Sequence, residues 1–157
     1  MASVFIEPNK AGLTTICIEP LQTDYKISDM VDLSLVEKEA AHYYGKCFAD
    51  ERHVIYVAHT ATGFVGCGGI SFYEIMPTYD HPSGKCAYIM NMYTCPLYRK
   101  QGVATQILDL LVKAAQKHGV LKISLEATKK GRRVYEKYGF VQNGYEMEYE
   151  EVLHGFS

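Results

Sequence analysis

Arg99-Lys100-Gln101-Gly102-Val103-Ala104-Thr105 is the stretch whose reading decides the fold, because it joins an apolar strand-like run to the longest amphipathic helical pattern in the chain. Gly102 has no Cβ and lets backbone approach a ligand closely, while the first amides of the following helix have no partners of their own. Those donors, the positive end of the helix dipole and the flanking Arg99 and Lys100 favour an anion, so a phosphorylated ligand is expected here. An ordinary βα turn that binds nothing looks the same in isolation, and the neighbouring elements have to separate the two.

Before the turn, Lys85 to Thr94 is nearly unbroken in apolar and aromatic residues, which predicts a strand buried on both faces and ended by Pro96. After it, a helix is predicted from Val103 to His118. Ala104, Ile107, Leu108, Leu111, Val112 and Ala115 fall on its buried side, Asp109 meets Lys113 at i, i+4, and Gly119 is a natural stop. Val120 to Ala127 reads as the next strand, and strand, helix, strand in this order predicts a parallel βαβ unit with a right-handed crossover. Thr128 is placed to cap a short helix through Tyr138, which Gly139 terminates. Tyr145, Met147 and Tyr149 then alternate with Glu146, Glu148 and Glu150, predicting a half-buried strand with a solvated acidic face.

Toward the N-terminus, His53 to Ala58 and Gly63 to Ile75 are two strand-like runs joined by the hairpin signal Thr60-Ala61-Thr62-Gly63. Gly66, Gly68 and Gly69 inside the second run mark either a bulge, the reading preferred, or the close approach of another backbone. The loop from Met76 to Gly84 is long for a hairpin, as loops that carry recognition residues often are. From Ser28 to Cys47 the pattern is helical, with Leu33, Val36, Ala40 and Tyr44 in phase and Ser34 with Glu37 at capping-box spacing. Thr14 to Glu19 reads as a first strand stopped by Pro20, and residues 1–13 as an extension or short edge strand. The 157 residues fit a single domain. Its expected class is α/β of the mixed α+β kind: one central mixed sheet, antiparallel first and parallel around the glycine turn, flanked by helices on both faces.

A net charge of −2 argues against a nucleic-acid protein with a broad basic face. The five cysteines form no C-x-x-C pair and are expected as thiols in a reducing compartment. With neither a leader pattern nor an apolar run of membrane-span length, a soluble cytoplasmic protein without membrane partners is expected. The six histidines show no H-E-x-x-H and no zinc-ligand spacing, so no metal is expected. Thirteen tyrosines without a tryptophan are explained mainly as core walls; Tyr43, Tyr44, Tyr73 and Tyr79 are candidates for an aromatic wall in a substrate cleft.

Two blocks carry a family resemblance. Tyr88 through Ala104 contains Arg99, Gly102 and Ala104 in the places of an R/Q-x-x-G-x-G/A signature, and Tyr135-Glu136-Lys137-Tyr138-Gly139-Phe140 follows as a second block. In this order, on a strand, turn, helix, strand and helix, they resemble the GNAT superfamily of acetyl-CoA-dependent N-acetyltransferases, most specifically over residues 85–140. The resemblance implies the GNAT-like acyl-CoA N-acyltransferase fold, with acetyl-CoA as cosubstrate. It implies that the pyrophosphate sits on the amides of Gln101, Gly102, Val103 and Ala104, with the Thr105 hydroxyl available, and that Arg99 and Lys100 meet the outer phosphates. It also implies that the pantetheine arm pairs with the backbones of Met92 and Thr94 like an added strand. Tyr135 stands where the family commonly places the acid that protonates the leaving thiolate, a role a positioned phenol can fill.

Two departures from the family pattern stand out. The strand Ala87-Tyr88-Ile89-Met90-Asn91 lacks the carboxylate that assists amine deprotonation in many relatives, which leaves Glu126, Glu74, and Asp80 with His81 as candidates for the base. Thr128 replaces an asparagine that often contacts the pantetheine. Cys95, next to the turn, has no histidine beside it in sequence to activate it for covalent transfer. The expected activity is direct acetyl transfer to a primary amine of a small molecule, with Asp80, His81 and Tyr73 as candidates for acceptor recognition. A protein or peptide N-acetyltransferase, or a CoA-binding sensor without turnover, remains an alternative. Homodimers are common in the family, and the sequence leaves that state open.

Overall fold

A computed structural model of the chain describes residues 4–6, 16–20, 42–43, 46–47 and 49–149. Among these residues six strands form one sheet in sequence order: β1 (Val4–Ile6), β2 (Ile16–Pro20), β3 (His53–His59), β4 (Phe64–Glu74), β5 (Lys85–Thr94) and β6 (Lys122–Leu125). All neighbours are antiparallel except β5 and β6, which are parallel. That single parallel pair needs a crossover, and helix α1 (Val103–Lys117) supplies it. A second helix, α2 (Arg132–Tyr138), follows β6. The chain divides into two compact units, Met1–Glu126 and Ala127–Ser157.

The mixed sheet, the hairpin at Thr60–Gly63 and the βαβ unit agree with the sequence patterns. The hairpin closes because the Thr60 amide donates to the Gly63 carbonyl at 2.8 Å, while the Thr60 hydroxyl accepts from the Thr62 and Gly63 amides. Helix α1 buries Val103, Ile107, Leu108, Leu111, Val112 and Ala115, so the apolar stripe begins one residue before Ala104. Asp109 and Lys113 form the i, i+4 ion pair at 2.6 Å. Ile18 and Ile70 of the sheet are fully buried, as are Ile107, Leu108 and Leu111 of the helix. A Cβ on Gly68 would strike the Met92 sulfur and Ile107, which puts Gly68 on the α1 face. Strand alternation then turns Ser71 to the other face. There its hydroxyl shares hydrogen bonds of 2.7 Å with Tyr43, in a helical segment, and with Nδ1 of His53. Helical residues therefore lie over both faces of the sheet.

Three expectations need adjustment. Strand β5 is not buried throughout: burial is confined to Cys86, Ala87 and Ile89, and exposure rises beyond Ile89, where β6 has ended. The short helix starts at Arg132 rather than at Thr128, because Thr128 first makes a turn; its hydroxyl accepts from the Gly131 amide at 3.1 Å and its carbonyl from the Arg132 amide at 2.9 Å. Residues 145–149 form no strand: Tyr145, Met147 and Tyr149 are at least 90% exposed. Alternation marks two faces, but a strand also needs a neighbour's backbone, and this segment has none among the described residues. Most of the predicted Ser28–Cys47 helical region, Tyr44 included, lies outside the described residues, as does most of 1–13.

Candidate active site

After β5 the chain makes a single 3-10 turn, Pro96–Tyr98, and then the tight turn into α1. Lys100 and Gly102 both adopt left-handed backbone, at φ +61° and +83°. A Cβ at Gly102 would meet nothing within 4 Å, so conformation rather than space calls for glycine. Gly102 is the N-cap of α1, and no side chain caps the helix there. The first turn carries no acidic residue, and the first helical hydrogen bond runs from the Gln106 amide to the Gly102 carbonyl at 3.0 Å. The amides of Val103, Ala104 and Thr105 thus precede the start of the helical ladder, in the positive field of a 15-residue helix. Arg99 donates from Nε to the Thr94 carbonyl at 3.0 Å, tying the end of β5 to the turn, and Gln101 donates to the Leu97 carbonyl at 3.3 Å. Arg99 is therefore a strut of the turn as well as a surface cation.

The end of β5 is open on one side. Pairing with β6 covers only Cys86 to Ile89, so Met90 to Thr94 run on with β4 on one side and no described strand on the other. Within this stretch the β4–β5 register breaks. Cys67 pairs with Tyr93 and Gly69 with Met90, so Gly68 alone faces both Asn91 and Met92. Asn91 takes up the extra residue at φ +55°, a left-handed conformation unusual inside a strand. The Cys67 thiol donates to the Asn91 carbonyl at 3.4 Å, and burial pushes that thiol up to about 11. The three glycines of β4 signalled a bulge in the sequence, and β4 carries one against β3, where Gly66 pairs with Ala58 and Phe64 with His59 so that Val65 is extra; in the break against β5 the extra residue sits on the partner strand. Asparagine, which tolerates left-handed backbone, was the clue to its position. Close backbone approach is also real at Gly66, where a Cβ would lie 2.5 Å from the Tyr93 carbonyl oxygen.

Met92, Thr94 and residues 99–105 are thus gathered along one strand end and its turn. Tyr73, Glu74, Asp80 and His81 are not with them: they lie at or beyond the far end of the β4–β5 hairpin, where Glu74 pairs with Lys85. From Lys85 to Thr94, strand rise alone gives about 30 Å. In that loop, His81 Nε2 lies 3.1 Å from the Lys85 carbonyl and 3.5 Å from the Cys86 sulfur, which makes it a fastening of the loop. Glu126 stands exposed immediately after β6. In the C-terminal unit, Tyr135 lies on α2, its ring edge-on to Phe140 at 6.2 Å, and its carbonyl accepts from the Gly139 and Phe140 amides. Burial raises the Tyr135 phenol above its ordinary value, so it stays a proton donor at neutral pH. Thr128 turns its hydroxyl to the Gly131 amide.

The sheet order, the open end of β5 and the uncapped turn together define the acyl-CoA N-acyltransferase class of α/β folds. The chain belongs to the acetyltransferase (GNAT) family, which it matches over residues 19–140, and it is an enzyme of the acyltransferase class. A rice protein (Oryza sativa subsp. japonica) named "Probable glucosamine 6-phosphate N-acetyltransferase 2" is 27% identical over 164 residues, spanning 94% of this chain and 98% of its own. A predicted acetyltransferase from Clostridium acetobutylicum, solved with acetyl-CoA, superimposes with a TM-score of 0.74 at 29% identity, over 86% of this chain and 96% of its own. The glucosamine-6-phosphate N-acetyltransferase of Arabidopsis thaliana shares the fold, with a TM-score of 0.71 at 18% identity over 87% of this chain and 98% of its own.

Proposed function

We propose that the protein transfers acetyl from acetyl-CoA directly to the primary amine of a small molecule, within a ternary complex. The observation that carries this reading is the open edge of β5 from Met90 to Thr94 running into the uncapped, acid-free start of α1. An extended pantetheine arm needs unpaired strand backbone, and a pyrophosphate needs convergent amides in a positive field. Both features meet at one end of β5. Acetyl-CoA supplies the acyl group as a thioester. The amides of Val103, Ala104 and Thr105 and the cations Arg99 and Lys100 hold its phosphates, and the backbones of Met92 and Thr94 align its arm. Tyr135 gives its proton to the departing sulfur. The Cys95 thiol donates to the Phe64 carbonyl at 3.6 Å, an arrangement that favours direct transfer over an acyl-cysteine.

Small amines are favoured as acceptors by the two relatives named for glucosamine 6-phosphate, so an amino sugar phosphate belongs first in the panel. Titration calorimetry with CoA, followed by thiol release from acetyl-CoA over a panel of amino sugars, aminoglycosides, polyamines and peptides, tests the reading. Binding of CoA with acetylation of a small amine is the expected result. Absence of CoA binding sinks the proposal, and turnover on peptides alone moves the acceptor class to proteins.

A further inference from the structure

The sheet end opposite the cofactor turn carries features that acyl transfer does not use. The loop from Met76 to Gly84 is braced from within. The Ile75 amide donates to the Gly84 carbonyl at 2.8 Å, Thr78 and His81 exchange backbone hydrogen bonds of 3.1 and 3.2 Å, and the His81 ring donates to the Lys85 carbonyl at 3.1 Å. Tyr79 and Asp80 form the tip; Tyr79 is 98% exposed there, and Met76 in the same loop is 80% exposed. Lower on the hairpin Tyr73 and Ile75 are also exposed, and Leu121 joins them next to Lys85, because Lys122 pairs with Cys86. Single apolar side chains on a surface are ordinary, but five large ones gathered at one end of a sheet mark a contact surface.

At the base of this hairpin is a cavity of about 630 Å³. Phe72, stacked on His118 at 4.3 Å, and the buried Cys86 make its floor, while Glu51, Glu74 and Lys85 stand on its exposed rim. Asp50 and Arg52, also on the rim, neutralise each other at 2.9 Å. Among the described residues the Glu51 and Glu74 carboxylates and the Lys85 ammonium make no ion pair or hydrogen bond, and the Tyr79 hydroxyl and Asp80 carboxylate at the tip make none either.

We propose that this end of the sheet is the interface with a second copy of the chain, in which the hairpin tip of each protomer enters the cavity of the other. Two hairpins related by a two-fold axis lie antiparallel, so the tip of one meets the base of the other and the same contact is made twice. The chemistry of tip and cavity is complementary. The Tyr79 ring covers the Phe72 floor, and its hydroxyl donates to the glutamates, which can only accept. Asp80 meets the partner's Lys85. A buried aromatic contributes about 150–250 Å², so the exposed parts of Tyr73 and Tyr79 in two copies supply roughly 400–700 Å², and the walls they cover about as much again. With Met76 and Leu121 added, the contact enters the range of roughly 1,200–2,000 Å² that stable interfaces bury. A tip already braced in one conformation loses little entropy on docking, and both cofactor turns stay open at the opposite ends of their sheets.

Sedimentation velocity of the full chain over about 1 to 100 μM tests this, because dimerisation follows mass action. The wild type is expected to be dimeric at the upper end. Tyr79→Asp puts a third carboxylate against Glu51 and Glu74 and should raise the dimer dissociation constant at least about thirtyfold, as loss of a central aromatic anchor does. Tyr79→Ser is the second variant, and near-ultraviolet circular dichroism reads the folding of both. Asp80→Lys and Lys85→Asp each set like charges at both contacts of their own homodimers, so each should weaken the dimer about tenfold. Mixed together, the two variants set opposite charges at both contacts, and the heterodimer should form within about threefold of the wild-type affinity. A wild type that stays monomeric overturns the proposal, as does a dimer that both Tyr79 variants leave intact. Weakened single variants whose mixture forms no heterodimer overturn the docking of tip into cavity.

Discussion

Tyr135 carries the sharpest residue-scale prediction. Burial raises its phenol, so the alkaline limb it imposes on kcat lies above the ordinary phenol value of 10.0, and the group is fully protonated at neutral pH. Tyr135→Phe keeps the ring that meets Phe140 edge-on and removes only the hydroxyl. The expected outcome is a fall in kcat of about 10²–10⁴-fold with CoA affinity retained, read by steady-state kinetics beside calorimetry. A variant with unchanged kcat would assign the proton to another donor. The position of Tyr135 on the short helix was legible in sequence because the second block of the family pattern fixes it. The base was not, since β5 carries no carboxylate and Glu74, Asp80 and His81 turn out to lie at or beyond the far end of the hairpin. Asn91 and Cys67 were hidden for another reason: their relation spans 24 positions of sequence and depends on a register break that strand alternation conceals.

Elements whose determinants are local were read correctly, and those that depend on a distant partner were not. The turn into α1, the i, i+4 pair of Asp109 and Lys113 and the Thr60–Gly63 hairpin are settled within a few residues of themselves. The burial of β5 depends on where β6 stops, and the alternating tail at 145–149 depends on a neighbour it lacks among the described residues. Two predictions belong to this scale, one at the βα turn and one inside β4. Gly102→Ala forces a Cβ into φ +83°, where an L-residue loses roughly 1–2 kcal/mol. No atom obstructs the new methyl group, so the chain should fold with a modestly lowered midpoint in urea and bind CoA several-fold more weakly. Gly68→Ala fails differently, by overpacking against Met92 and Ile107, and should cost about 1–3 kcal/mol in a denaturant titration. A Gly68→Ala protein as stable as wild type would mean that the bulge moves freely against α1.

At the scale of the whole molecule, His53 should set the acid side of stability. Its ring is 3% exposed, Nδ1 is hydrogen-bonded to Ser71, and Nε2 lies over Gly69, where a Cβ would come within 2.9 Å. Burial lowers its pKa from 6.5 to about 4. Between those values the unfolded chain holds a proton that the folded chain refuses, so acid draws the equilibrium toward unfolding. The contribution of the neutral ring is complete above about pH 6.5 and is lost as pH falls toward 4. Between about pH 7 and pH 5 this linkage amounts to about 2 kcal/mol. Urea titrations of the wild type at several pH values should show that loss before most carboxylates begin to protonate. His53→Asn, which sets an amide near the position of Nδ1 and cannot titrate, should be less stable at neutral pH because the ring leaves a void. Its stability should then change far less over the same interval. Parallel slopes for the two proteins would show that acid enters the structure elsewhere and that the sheet face under Tyr43 tolerates a charged imidazole.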